Sequence, residues 1–284
     1  MNVISAPQRQ SDDVDGLSIS LVVYRPDIAQ LRQTLDSLGA ACENLRVVSP
    51  EYPVELFLVD NGGLCDISGA VDRLSAQGVA CRILTGHGNV GYGRGHNLAI
   101  EHSSGSLHLI LNPDIDLDPQ ALVLARTFFK SHADTGLIAP WVGDGAGGFQ
   151  YLCRRFPSIV DLLVRGFLPT WARRPFRKRL ARYEMRDTID GMSVVWDPPI
   201  ISGCFMLFRT NVLKTLGGFD PRYFLYFEDY DLSLRTHNVA RVAYVPSIRV
   251  IHHGGGASRK GFAHIRMFAV SALKFYSRFG WRLW

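Results

Sequence analysis

Asp114 and Asp116 follow the apolar run LHLILN, and Pro113 ends that run. Alternate residues of an extended segment share a side, so both carboxylates could reach one hard cation, which prefers oxygen ligands and can bridge two phosphates. A turn and helix cap before DPQALVLARTFF, with Asp118 as the capping residue, is the competing account, and Asp-x-Asp alone does not decide between them. Asp60 ends the run VELFLVD and precedes Asn61, Gly62 and Gly63. A carboxylate at a strand tip can accept hydrogen bonds from a base N–H or a ribose hydroxyl, and it can equally close an Asx turn.

Glu228 and Asp229 follow the aromatic run YFLYF and open a helical pattern that also carries Asp231. Neighbouring carboxylates beside apolar surface raise one another's pKa, while a helix N-terminus favours the ionised form, so one of the pair could serve as a general base. Helix capping is the plainer account. His252 and His253 end the run IRVI before three glycines, where an imidazole could complete a metal shell, bind phosphate or close a strand. The loop GHGNVGYGRGHN (86–97) contains a formal GxGxxG, with an acid, Asp114, further on. In a dinucleotide fingerprint the helix opens at the third glycine; here YGRG intervenes, so the loop reads as a backbone wrap for phosphates with Arg94 adding charge.

These residues need a scaffold that gathers them. From Leu17 onward short β-rich runs alternate with helical patterns, the signature of an α/β fold with a mostly parallel sheet. LSISLVVY (17–24), VELFLVDNGG (54–63), VACRILT (79–85) and SLHLILNPDID (106–116) predict strands, and IAQLRQTLDSL (28–38) predicts a helix. Each strand leads into a polar or glycine-rich loop, and ligands of open α/β sheets bind beyond the carboxyl ends of the strands. Further on, IISGCFMLFR (200–209) predicts a strand, NVLKTLGGFD a short helix, EDYDLSLRTHN a helix, and RVAYVPSIRVIHH two short strands around Pro246.

The chain of 284 residues can bury a large core, and its 47% hydrophobic and 20% charged residues are ordinary for a globular protein. No stretch reaches the roughly 20 apolar residues of a bilayer span. The first 16 residues are polar and acidic and read as a flexible leader, without the features of a secretory signal. Five scattered cysteines without a CxxC pair argue against a disulfide framework and fit a reducing cytoplasm.

In order along the chain, VVY, VDNGG, NVGYGRGHN, NPDID, SGCFMLFR, GGFDPRYFLYFEDYDLSLR and VIHHGGGAS resemble the family 2 glycosyltransferases, and particularly their rhamnosyltransferase-like branch. The resemblance runs from about Leu17 to about Ser258. It implies a GT-A fold, the Rossmann-like nucleotide-diphospho-sugar transferase fold, with a nucleotide-sugar half over 17–118, an acceptor and catalytic half over 119–258, and a helical segment over 259–284. Val23 and Tyr24 would line the base and Asp60 would hold base or ribose. Asn89, Gly91, Arg94 and Asn97 would border the donor, and Ser202 and Gly203 would approach donor sugar or acceptor. Asp114 and Asp116 would bind Mg2+ or Mn2+ and the donor diphosphate, with His252 or His253 as third ligand, and Asp229, beside Glu228, would be the base of an inverting transfer. The implied donor is a nucleotide-diphosphate sugar, dTDP-rhamnose in this branch, and the implied acceptor a glycan or lipid-linked sugar of a bacterial surface polysaccharide.

Other hexosyl or galactofuranosyl transfer on the same fold, a nucleotidyltransferase and a noncatalytic nucleotide-sugar-binding module are the alternatives. A nucleotidyltransferase needs a glycine- and arginine-rich loop after the first strand, which SLVVYRPDIA lacks. The basic stretch 154–184 interleaves Phe156, Leu162, Leu163, Phe167, Leu168 and Trp171 with clustered Arg and Lys. It is either a helix pair packed on the domain with solvated charges, or a surface that receives a charged acceptor or makes a peripheral contact with the inner face of the cytoplasmic membrane. No motif points to nucleic acid.

Overall fold

The computed structural model describes residues 14–254 and 261–284. Strand β1 (Val14–Val23) enters helix α1 (Ile28–Val48), followed by β2 (Val54–Asp60), α2 (Ser68–Ala76), β3 (Ala80–Leu84), α3 (Tyr92–His102), β4 (Gly105–Leu111), β5 (Ile115–Leu117), α4 (Ala121–Ser131) and β6 (Thr135–Gly143). The chain continues through β7 (Cys153–Arg154), α5 (Ile159–Phe167), a 3₁₀ turn over Thr170–Phe176, α6 (Arg177–Tyr183), β8 (Val195–Trp196), β9 (Ile200–Ile201), β10 (Phe205–Arg209), α7 (Thr210–Thr215), α8 (Glu228–Thr236), β11 (Arg241–His252) and α9 (Gly261–Phe279).

Eight strands follow one another across a nine-stranded sheet in the order β3-β2-β1-β4-β10-β6-β11-β5, and β8 also pairs with β11. Strands β1, β2, β3, β4, β6 and β11 run one way, while β5, β8 and β10 run the other. Because β10 inserts between β4 and β6, both halves of the chain build one sheet. Strand β1 is buried from Gly16 to Val23 because both of its faces are covered, and its buried Ser20 hydroxyl is met by His96 and His108. Leu17, Ile19, Leu21 and Val23 point to one core with α1, α2 and α4, and Val22 points to the opposite face with Ala99 of α3. Helix α1 buries Leu31, Leu35, Leu38, Cys42 and Leu45, the stripe expected at a 3.6-residue period, and Asp27 caps it by accepting from the Gln30 N–H at 3.1 Å.

Several predicted boundaries move. Helix α1 runs past Leu38 to Val48, and β1 begins at Val14, inside the expected leader, whose residues 1–13 lie outside the described residues. The single strand predicted over 106–116 is two, β4 and β5, because Asn112–Asp114 leave the ladder and β5 turns to pair antiparallel with β11. The strand over 200–209 is likewise broken at Ser202–Cys204. The two strands around Pro246 are one, β11, which absorbs the proline as a register shift between Val245 and Arg249 against β6.

Gly91 stands at the start of α3 with φ +91°, and a Cβ there would lie 2.3 Å from the Phe224 carbonyl oxygen. That close approach lets the Tyr92 N–H donate to the same oxygen at 3.0 Å and fastens the segment before α8 to α3. Gly91→Ala is therefore expected to lower unfolding free energy by about 2 kcal/mol or more, from positive φ and backbone contact together. Urea denaturation checks this, and unchanged stability would refute the contact.

Candidate active site

The carboxyl ends of β1, β2 and β4 bring the loops after Val23, Asp60 and Leu111 to one edge of the sheet. At the first, Val23 is buried within the α1 core, so its side chain cannot line a nucleotide base as expected, whereas Tyr24 is exposed and its ring lies over Gly62. Asp60 closes an Asx turn by accepting from the Gly62 N–H at 2.7 Å. Its neighbour Asn61 is buried: its Nδ2 donates to the Gly91 carbonyl oxygen at 3.0 Å and its Oδ1 lies 3.1 Å from His87 Nε2. Asn61 thus ties the β2 loop to the loop before α3, a role that nothing in its spacing announced.

Two residues expected to border the donor also hold a neighbouring segment of the chain. Asn97 donates from Nδ2 to the Phe219 carbonyl oxygen at 2.8 Å and accepts at Oδ1 from the Phe219 N–H at 2.9 Å, so both ends of its amide are used. Arg94 donates from Nε to the Pro221 carbonyl oxygen at 2.6 Å. Asn89 accepts from the Gly91 N–H at 3.1 Å and is otherwise open to solvent. Helix α3 is therefore a clamp on segment 217–227, which carries the chain into the acids of α8.

The hub of the clamp is Tyr92, which the sequence reading passed over. Its hydroxyl lies 2.9 Å from Asn112 Oδ1 and 2.6 Å from the Gly203 carbonyl oxygen. Burial, then the nearby Glu228 and other acidic groups, pushes this phenol well above its ordinary pKa, so it remains a hydrogen-bond donor. Gly203 in turn donates its N–H to Asp229 Oδ2 at 2.8 Å, and Asp229 Oδ1 accepts from the Tyr230 N–H at 2.9 Å. One tyrosine thus links the Asn112–Asp114 loop to the carboxylate of Asp229. Ser202 stands beside this link, its N–H held by the Leu152 carbonyl oxygen at 3.1 Å.

The acid pair is presented by strained backbone. Tyr226 and Phe227 both adopt left-handed conformations, with φ of 71° and 67°, and Phe227 precedes the first residue of α8. Glu228 is buried, and among the described residues its Oε2 has no partner. Burial first, and the adjacent Asp229 second, raise its pKa from 4.5 to about 8. Asp229 is only half-buried, and the two backbone N–H groups on its oxygens counter desolvation; its pKa rises less, to about 6. The backbone N–H groups on Asp229 and the partnerless, sealed carboxyl of Glu228 both favour the charge on Asp229 over its neighbour. Asp231 has a different role, since it is fully buried between Arg235 at 2.5 Å and Arg278 at 2.9 Å and joins α8 to α9.

The four expected metal ligands form two pairs. His252 Nε2 lies 3.5 Å from Asp114 Oδ1, and His253 Nε2 lies 2.6 Å from Asp116 Oδ2, which Gln33 also reaches. Among the described residues no three acidic, histidine or cysteine side chains are gathered as a set for one ion. The alternation argument for a shared cation fails because Asp114 belongs to the break between β4 and β5, so regular strand geometry does not relate it to Asp116. In donor type the set still suits a hard divalent ion: Asp114 and Asp116 each keep Oδ1 buried and, among the described residues, without a hydrogen-bond partner. Gln150 brackets His252, with Oε1 3.1 Å from Nδ1 and Nε2 donating to the His252 carbonyl oxygen at 2.9 Å, which leaves Nε2 of the ring facing Asp114. Burial opposes ionisation of Asp114, but His252, the Asp114 backbone N–H and the Asn112 side chain together hold the carboxyl below its usual range.

A family model described as glycosyl transferase family 2 matches residues 18–217, most of the chain. The chain belongs to that family. An N-acetylglucosaminyl-diphospho-decaprenol L-rhamnosyltransferase of Mycobacterium tuberculosis is 27% identical over 252 residues, covering 84% of this chain and 76% of its own. The rhamnosyltransferase WbbL of Escherichia coli is 24% identical over 258 residues, covering 87% and 88%. Among solved structures, S. aureus TarS 1-349 with UDP superposes with a TM-score of 0.54 at 15% identity, over 91% of this chain and 65% of that one. GalNAc-T7 with UDP, GalNAc and Mn2+ gives 0.57 at 14% identity, over 84% and 43%. This family 2 glycosyltransferase has the GT-A fold, as its ordered motifs implied.

Glu228 generates a prediction of sign. A carboxyl with a raised folded pKa costs stability as pH rises from its unfolded value, 4.5, through its folded value, about 8. Glu228→Gln removes that cost, so its melting temperature should match the wild type near about pH 4 and exceed it by a few degrees near about pH 9. Equal or lower melting at the higher pH would show that Glu228 is not held protonated.

Proposed function

We propose that this family 2 glycosyltransferase is a metal-dependent inverting enzyme that moves L-rhamnose from dTDP-rhamnose to a glycan or lipid-linked acceptor of a cell-surface polysaccharide. The observation that carries the reading is the acid pair of α8, in which Asp229 is the more accessible and is held by the Gly203 N–H, which favours its charged form, while buried Glu228 beside it favours its proton. The names of the two bacterial relatives support the sugar, and the first of them supports a lipid-diphosphate-linked acceptor.

Asp229 takes the acceptor hydroxyl proton as that oxygen forms its bond to the anomeric carbon. The bond from that carbon to the diphosphate oxygen breaks on the opposite side, its electron pair leaves with the diphosphate, and the centre inverts. Glu228, sealed from solvent and with its pKa raised by burial, leaves the charge on its neighbour. Tyr92 holds Gly203 and Asn112 in register, so that the base and the Asp114 loop keep one spacing. Tyr24 supplies a ring for the base, and Asp60 a carboxylate for ribose or base.

Asp114 and Asp116, with His252 oriented by Gln150, would hold Mg2+ or Mn2+. When bound, the ion supplies Lewis-acid stabilisation of charge on the diphosphate.

A thermal-shift comparison of nucleotide-sugars, with and without Mg2+ or Mn2+, tests the donor. dTDP-rhamnose with metal should raise the melting temperature most, and Asp114→Ala should weaken that binding by about tenfold or more. Equal stabilisation without metal, or a larger shift with a uridine donor, would overturn the assignment.

A further inference from the structure

Between positions 154 and 182 the sequence carries nine Arg or Lys against one acid, Asp161. This segment folds as α5, the 3₁₀ turn and α6, packed on one another. A second segment, distant in sequence, lies beside it. The Ile159 N–H donates to the Arg282 carbonyl oxygen at 2.8 Å. The Arg282 guanidinium stacks 4.4 Å over Phe156, and Arg179 lies 4.3 Å over Trp284. Residues 281–284 therefore run along the start of α5.

The surface so built shows two kinds of side chain to solvent. Leu163 and Phe167, one turn apart on α5, are 49% and 50% exposed, while Trp171 is 74% exposed and Leu283 70%. A group of large apolar side chains left in water marks an interaction surface more often than an inert one. Arg174, Arg177, Lys178 and Arg182 stand exposed in the same segment, and among the described residues no ion pair engages them. Their neighbours differ: Arg155 pairs with Asp187, Arg165 with Glu184 and Arg179 with Asp161. Cations without counter-charges, interleaved with Trp, Phe and Leu, complement a layer that is anionic at its surface and apolar beneath. A nucleic acid would satisfy the charges alone and leave the Leu and Phe side chains in water.

This surface adjoins the acid pair. Leu162 of α5, Tyr223 and Phe227 ahead of α8, and Phe275 and Tyr276 of α9 share one apolar cluster. We infer that α5, the turn 170–176, α6 and residues 281–284 form a docking face for an anionic lipid bilayer, with the rings seated at headgroup depth and the free cations on the lipid charges. The use of this face rests on the lipid-linked acceptor proposed above, whose sugar would reach Asp229 while its lipid stays in the bilayer. The docking itself does not depend on donor, acceptor or metal.

The test is co-sedimentation of the full chain, without donor or acceptor, with vesicles of phosphatidylcholine alone and of phosphatidylcholine with phosphatidylglycerol. Binding is expected only to the anionic vesicles. Trp171→Ala, whose side chain has no ring or hydrogen-bond partner among the described residues, should weaken it by about tenfold. Arg174→Gln, Arg177→Gln and Lys178→Gln together should weaken it by about a hundredfold, and circular dichroism should match the wild type in each case. No binding, equal binding to neutral vesicles, or binding unaffected by either variant would overturn the face. Rhamnosyl transfer to a water-soluble acceptor is measured beside it: transfer without vesicle binding removes the docking face alone, and vesicle binding without transfer removes the proposed reaction alone.

Discussion

The hydroxyl of Tyr92, placed between Asn112 Oδ1 and the Gly203 carbonyl oxygen, is the contact on which the geometry of the site depends. Asn112 begins the break in the sheet that frees Asp114 from the β ladder, and Gly203 fills the corresponding break before β10. Both breaks leave backbone and side-chain polar groups that must find partners inside the protein. A single part-buried phenol lies within reach of both acceptors and shares its one O–H between them, and the Gly203 N–H holds Asp229. The loops above the sheet are thus fixed to one another as well as to their own strands, which gives separate motifs a common spacing.

Electrostatics then divide the labour between neighbouring acids. Glu228 and Asp229 occupy successive helix positions, yet one is sealed from water without a partner for Oε2 while the other is half-open and receives two backbone N–H groups. Solvation and hydrogen bonding select Asp229 for the charge. The left-handed backbone at Tyr226 and Phe227 turns the chain into that arrangement, and the clamp from Asn97, Arg94 and the Tyr92 N–H on α3 restrains the segment from the other side.

The strand-and-loop order was legible in the sequence because buried parallel strands such as LHLIL are rich in apolar residues and strand ends are marked by Asp60-Asn61-Gly62 and Asn112-Pro113-Asp114. The acids of α8 were legible too, since Asp and Glu after an aromatic run are conspicuous. Partnership was not. Asn97 and Arg94 sit in a motif that reads as ligand-binding, and only the folded chain brings Phe219 and Pro221 to them, more than a hundred residues away in sequence. Tyr92, Asn61 and Gln150 gave no signal because their functions depend on contacts that no local period encodes. The shared side expected for Asp114 and Asp116 assumed unbroken strand geometry, and the proline that was read as a stop is where that geometry ends.

The account stands on Asp229 as the group that removes the acceptor proton. The direct measurement is single-turnover transfer by Asp229→Asn with saturating donor and metal, alongside donor affinity measured separately. The account predicts unchanged donor affinity and a transfer rate reduced by about a hundredfold to ten-thousandfold. Transfer at the wild-type rate with donor and metal bound would contradict it.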